Sequence, residues 1–295
     1  MPSGNLKSYL NLHLIVFIWG FTGVLGGLIS IGGTDLVWYR MLIASVFLFG
    51  WLKFTKTPYK LSRKVLLKLT FVGLLIAIHW ILFFTAIKVS NVSITLAMFS
   101  MGAFFAAVFE PLFYNRKMLW YEVLFGLVII GALCLILNVE FRYLQGMVLA
   151  LVSVFFGVMF TLLNGKLIQE HDAKVITLYE FLAGFLFVTI YLLITGSFTA
   201  EFFSLSINDW LLIALLASIC TAYAFTASVN VMRKLTPYTV MLTTNLEPVY
   251  GIVLAWFLIG ESERMSTSFY FGAAVIIAVV VLNGIVKNKF EKQEQ

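Results

Sequence analysis

Five ionisable side chains stand inside apolar stretches of this sequence: Arg40, His79, Glu110, Glu180 and Glu247. Placing a charge within the hydrocarbon region of a membrane costs roughly 2.5–3.5 kcal/mol on insertion scales, so such groups face a cavity or a partner. Glu247 lies midway along its stretch and is followed by Pro248. Proline has no amide proton and clashes with the preceding turn, which leaves the carbonyl near Thr244 unpartnered beside Thr244 and Asn245. That makes a polar break where Glu247 can hold an amine or carry a proton; its alternative role is to cap a helix and hold the fold. His79, adjacent to Trp80, titrates near neutrality and both donates and accepts hydrogen bonds. The alternative for His79 is a buried imidazole tied to a backbone carbonyl. Arg40 and Glu180 either gate by pairing with a group that moves or reach the interface by snorkelling. Glu110, six residues before Arg116, is expected to form an interfacial ion pair.

Aromatic and amide side chains complete the expected solute-binding set: Trp19, His79, Trp80, Phe99, Phe156, Tyr223, Asn230, Asn245 and Glu247. A Trp face suits a ring or a cation. Trp38, Trp51, Trp120 and Trp210 fall near stretch ends and fit an interfacial belt. The chemistry of enzymes is missing from the sequence. The three histidines, His13, His79 and His171, form no HExxH, and there is no GxSxG turn or Gly-rich phosphate loop. Cys134 and Cys220 give no CxxC or zinc spacing, so neither a metal nor a cofactor is expected.

The elements that position these residues follow from composition. Of 295 residues, 61% are hydrophobic and 12% charged, and the mean hydropathy is +1.00. Soluble domains carry about 25% charged residues, so a soluble enzyme and a nucleic-acid-binding protein are both excluded despite the net charge of +6. Ten apolar stretches near 10–30, 36–52, 69–87, 92–114, 121–138, 144–163, 175–195, 209–230, 238–259 and 268–286 are long enough to cross a bilayer. They leave no room for a soluble catalytic domain. The first is too long for a signal-peptide core and is expected to stay in the product.

The basic residues give an orientation. With the N-terminus in the cytoplasm, that side holds Lys7, Lys53, Lys56, Lys60, Arg63, Lys64, Lys68, Arg116, Lys117, Lys166, Lys174, Arg233, Lys234, Lys287, Lys289 and Lys292. The outer side holds only Lys88, Arg142 and Arg264. Both termini are therefore expected in the cytoplasm. The halves 1–140 and 141–295 also echo one another: Trp38-Tyr39-Arg40-Met41-Leu42 against Leu178-Tyr179-Glu180-Phe181-Leu182, and 86–93 against 232–239. Five stretches per half is an odd number, so the halves would insert with opposite orientation, an architecture that places a solute site between them.

Near the ninth stretch, Arg233-Lys234-Leu235-Thr236-Pro237, Leu246-Glu247-Pro248-Val249 and Ala255-Trp256-Phe257-Leu258-Ile259-Gly260-Glu261 resemble the second-repeat signature of the EamA family, within the drug/metabolite transporter superfamily. Trp19-Gly20 and Arg40 are also similar to family positions. The first repeat departs from the pattern, with Gly102 near the usual Pro and Tyr114-Asn115-Arg116 in place of Gly-Glu-Arg. The resemblance implies an all-α membrane protein of ten helices in two inverted five-helix repeats.

The expected function is a secondary transporter of the plasma (bacterial inner) membrane that exports small metabolites such as amino acids by alternating access. A proton gradient acting through Glu247 or His79 would drive it. Sugar phosphates are disfavoured because no Lys or Arg is expected at mid-membrane. The alternatives are an uncoupled facilitator, a carrier of drugs or lipid precursors, and a multispan protein that transports nothing. The expected partners are a small solute, the lipid bilayer and protons, with no nucleic acid; a monomer suffices for the mechanism.

Overall fold

The structure, a computed structural model, describes residues 3–291. Lys292 lies outside them, and the side chains of Lys287 and Lys289 are likewise not described. The chain is 82% helical, with no strand among the described residues. In order the helices are α1 (Ser3–Leu28), α2 (Gly33–Phe54), α3 (Arg63–Val89), α4 (Val92–Phe99), α5 (Met101–Tyr114), α6 (Trp120–Val139), α7 (Leu144–Leu167), α8 (Ala173–Ile194), α9 (Ile207–Leu215), α10 (Ala224–Val231), α11 (Pro237–Thr244), α12 (Glu247–Leu258) and α13 (Thr267–Glu291).

Among the described residues, eight helical segments are long and apolar enough to cross a membrane, and shorter apolar helices lie at Trp120–Ile136 and Thr267–Val279. Three of the eight depart from regular α-helical hydrogen bonding along their length. Ser100 separates α4 from α5. Asn245 and Leu246 separate α11 from α12, just before Glu247-Pro248, where the Pro248 ring removes an amide donor. A wide turn at Leu216–Tyr223 joins α9 to α10. Such π-turns recur at functional sites, where an inserted residue re-aims its neighbours. Helix starts are set by local caps: Asn91 accepts from Ile94 N at 2.8 Å, Asp172 from Lys174 N at 2.9 Å, and Thr236 from Thr239 N at 3.2 Å.

Helices in a bilayer gain little from hydrophobic burial against one another, so close approach of backbones carries the packing. Gly73 of α3 meets Gly184 of α8, where a Cβ on Gly184 would stand 3.0 Å from the Gly73 carbonyl oxygen. Gly20 of α1 meets Gly251 of α12 in the same way. One apolar core is built chiefly from α1, α2, α3, α8 and the 207–231 segment; a second is built chiefly from α4 to α7, α11 and α13. Exposed Leu, Val and Phe cover the outside, among them Leu127, Leu186, Phe257 and Phe271. Apart from the buried Arg40, Glu180 and Glu247, charged side chains lie toward the helix ends. At one end Arg116 pairs with Glu110 at 2.8 Å and with Glu122 at 2.9 Å. Partial burial works to lower the pKa of Arg116, but the hydrogen bonds and charges of Glu122 and Glu110 outweigh it and raise the pKa. At the other end the Glu263 carboxylate accepts from Val92 N at 3.0 Å and Ser93 N at 2.9 Å.

Candidate functional site

Between the two cores lies a cavity. Both halves of the chain contribute to its wall. From the first half come Trp19 and Thr22 of α1, Arg40 of α2, His79, Trp80 and Phe83 of α3, and Phe99 of α4. From the second come Gly157, Phe160, Thr161 and Asn164 of α7, Phe225 and Ser228 of α10, Thr244 of α11 and Glu247 of α12. A mostly apolar wall with a few placed polar groups suits a small organic solute.

Arg40 is held rigidly. Its guanidinium carbon stands 3.8 Å from the centroid of the Trp80 ring, and Nε donates to Thr221 Oγ1 at 2.5 Å. Thr221 belongs to the wide turn, and its hydroxyl donates in turn to Leu216 O at 2.7 Å. The interruption of that helix therefore aims the residue that aims Arg40. Arg40 Nη1 is buried without a hydrogen-bond partner among the described residues. A guanidinium nitrogen so placed is a donor for an anionic group of a solute. Glu247 stands on the same cavity wall at the start of α12, next to the break after α11. The Arg40 guanidinium and the Glu247 carboxyl thus share a space lined by Trp19, Trp80, Phe83, Phe99, Phe160 and Phe225.

His79 has two roles in this wall. Nδ1–H donates to Ser153 O at 2.7 Å, and Ser153 Oγ donates to His79 O at 2.7 Å, which ties α3 to α7. With its proton on Nδ1, the imidazole presents Nε2 as an acceptor. Glycine at 157 gives the ring room: a Cβ there would lie 3.1 Å from Cε1 and 3.2 Å from Nδ1 of His79, a tight contact.

Of the residues singled out in the sequence, Trp19, His79, Trp80, Phe99 and Glu247 come together in the cavity. Four others do not. Phe156 packs on Phe155, and helical phase gives the cavity to Gly157, Phe160 and Thr161 instead. Tyr223, at the end of the wide turn, is 39% exposed on the outer surface. Asn230 is exposed beyond Ser228 and Val229, which line the cavity. Asn245 is buried at the C-cap of α11, while its neighbour Thr244 reaches the cavity. Arg40 is 2% exposed, so it does not snorkel to an interface; Trp80 and Thr221 hold it inward. The expectation that no Arg reaches the solute region is corrected by the same observation. Glu180 is fully buried and meets Asn164 Nδ2 at 3.3 Å. Glu110 pairs with Arg116 and also accepts from Tyr238 N at 3.0 Å, so it joins the end of α5 to the start of α11. Trp38, expected in an interfacial belt, is half-buried and meets Tyr39, Phe198 and Phe202 edge to face and Phe185 at a tilt.

Thr22, Phe83, Phe160, Thr161, Asn164, Phe225 and Ser228 were not expected in the wall. The spacing 157, 160, 161, 164 is a helical face, and reading α7 by that period would have found Thr161 and Asn164. Nothing in the sequence marks the wide turn that sets the face of α10.

A bundle of apolar membrane-length helices around a cavity with polar groups at its centre is the architecture of a membrane carrier. The chain belongs to the EamA-like transporter family, whose profile matches residues 6–138 and again 144–285. It is a membrane transporter. An uncharacterized transporter of Archaeoglobus fulgidus is 24% identical over 289 residues, spanning 94% of this chain and 97% of its own length. A protein of known crystal structure shares the fold with a TM-score of 0.72 at 12% identity, over 97% of this chain and 99% of its own.

Proposed function

We propose that this protein is a secondary transporter of small zwitterions with an apolar or aromatic side chain, amino acids above all. The observation that carries the reading is the pairing of Arg40, with an unpartnered Nη1, and Glu247 in one cavity walled by six aromatic rings. A free amino acid has a carboxylate for Arg40, an ammonium for Glu247 and a side chain for the rings. A phosphate ester would satisfy Arg40 but would set its charge against Glu247.

Alternating access supplies the transport step. Two five-helix repeats, 1–140 and 141–295, inserted in opposite orientation with ten spans and both termini in the cytoplasm, would rock about the cavity. The twofold match to one family profile and the lining drawn from both halves support this arrangement. Export across the plasma membrane follows the resemblance to the family. Sided labelling tests the reading: Ser228→Cys, with Cys134 and Cys220 replaced by alanine, is treated with an impermeant thiol reagent from each face of a proteoliposome. Labelling from both faces, slowed by phenylalanine, is expected. Labelling from one face alone, unaffected by phenylalanine or any other amino acid, would overturn it.

A further inference from the structure

We propose that Glu180 and Asn164 form a proton-binding site, distinct from the groups that hold the solute, which exchanges its proton through the central cavity. Glu180 is 0% exposed, and its Oε1 has no hydrogen-bond partner among the described residues. Its one polar contact is Asn164 Nδ2, which donates to Oε2 at 3.3 Å. Asn164 lines the cavity, and its own Oδ1 is likewise buried without a partner. One turn before Glu180, Thr177 Oγ1 is in the same condition. Three buried polar atoms without partners, on two helices that both pack on α3 and meet through the Asn164–Glu180 hydrogen bond, call for an explanation.

A proton provides one. A carboxyl and a primary carboxamide are complementary at two positions when the acid is protonated: N–H to Oε2, and O–H from Oε1 to Oδ1. Ionised, the carboxyl could accept from Nδ2 but would leave Oδ1 without a donor and would have no cation to offset its burial. The packed elements supply none. On α2, Arg40 turns Nε to Thr221 and its guanidinium face to Trp80 and makes no ion pair with Glu180 among the described residues, Asp35 is itself acidic, and Lys53 lies at the far end by Tyr59. On α3, His79 is committed to Ser153, while Lys68 and Lys88 lie toward the ends, Lys88 on Ile29 O. Helix α10 carries no charged residue. Lys166 of α7 lies over Phe113 and Tyr114, and Lys174 of α8 donates to Thr55 and Thr57. Glu247 differs in that the Arg40 guanidinium lies in the same cavity, whereas Glu180 makes no ion pair among the described residues.

Asn164 stands between Glu180 and the cavity, so solvent or solute reaching Asn164 can give or take the proton. No bond other than O–H is made or broken, and the proton is exchanged with water. The protonation half of the inference stands by itself; its coupling to flux rests on the solute reading above.

Infrared difference spectroscopy of the wild type in lipid, between acid and alkaline buffer and in H₂O and D₂O, reads the site without any solute. A protonated-carboxyl C=O band that shifts in D₂O is expected, absent in Glu180→Gln and kept in Glu247→Gln. A band unchanged in Glu180→Gln, or no such band in the wild type, would overturn the site. If Glu180→Gln fails to fold, Asn164→Ser serves: the frequency and titration midpoint of the band should move, and an unmoved band counts against the pair. In proteoliposomes, Glu180→Gln should keep counterflow of labelled phenylalanine and lose accumulation driven by a pH gradient. Accumulation equal to wild type would refute coupling through Glu180. Failure of wild-type counterflow would contradict the solute reading alone and leave the infrared result to judge the site.

Discussion

Replacing Arg40 with glutamine removes the guanidinium but keeps a hydrogen-bonding side chain in a space closed by Trp80 and Thr221. Two interactions change. The stacking of the cation on Trp80, at 3.8 Å and shielded from water, is an intramolecular one that the empty and loaded protein share. The hydrogen bond from Nη1 to a solute carboxylate exists only in the loaded protein. Hydrogen bonds to charged groups contribute about 1.5–3 kcal/mol, which corresponds to about a 10- to 150-fold loss of affinity. The assay is equilibrium binding in lipid of phenylalanine and of phenethylamine, which keeps the ring and the amine but lacks the carboxylate. Wild type should prefer phenylalanine, and Arg40→Gln should lose that preference by weakening phenylalanine alone. Arg40→Lys should recover part of it, because an ammonium keeps the charge and loses the planar fork. If Arg40→Gln weakens both ligands equally, Arg40 shapes the cavity without touching a carboxylate, and the reasoning fails.

Glu247→Gln should act in the complementary way, weakening phenylalanine and phenethylamine while leaving 3-phenylpropionate, which has no amine, unchanged; competition binding reads this directly. Gly157→Val would force methyl groups into the His79 ring, whose nearest atom would be 3.1 Å from a bare Cβ. Overpacking costs about 1–3 kcal/mol, so a lower unfolding temperature and a disturbed cavity are expected, and a Tm equal to wild type would contradict the packing described for His79. Glu263→Ala leaves the Val92 and Ser93 amides buried without their carboxylate. Unsatisfied buried donors cost about 1–3 kcal/mol, seen as a lower Tm in lipid with solute preference unaltered, and partial recovery in Glu263→Gln.

The sequence made the helices and the charged centre legible because both depend on composition and local chemistry. Long apolar stretches between short polar breaks define membrane helices whatever their packing, and Glu247-Pro248 interrupts its helix through a missing amide proton. Trp19, Trp80 and Glu247 stood out because each is costly or unusual in mid-helix. The rest depended on helical phase. Phe156 and Phe160 are the same residue type four positions apart, and only the packing of α7 against α3 tells which one faces the cavity. Tyr223 and Asn230 were displaced by the wide turn at Leu216–Tyr223, which shifts the register of everything after it. Arg40 was misjudged because distance from a helix end suggests the interface, while Thr221, 181 positions away, decides where it points.

The central claim, that this cavity carries a small zwitterion, is tested most directly by counterflow in proteoliposomes. Labelled phenylalanine would exchange against internal unlabelled amino acids, with phenethylamine and 3-phenylpropionate as competitors. The account predicts saturable exchange, inhibited strongly by zwitterions and weakly by either single-charge analogue. Exchange inhibited equally by all three, or no exchange of any amino acid by folded protein, would contradict it.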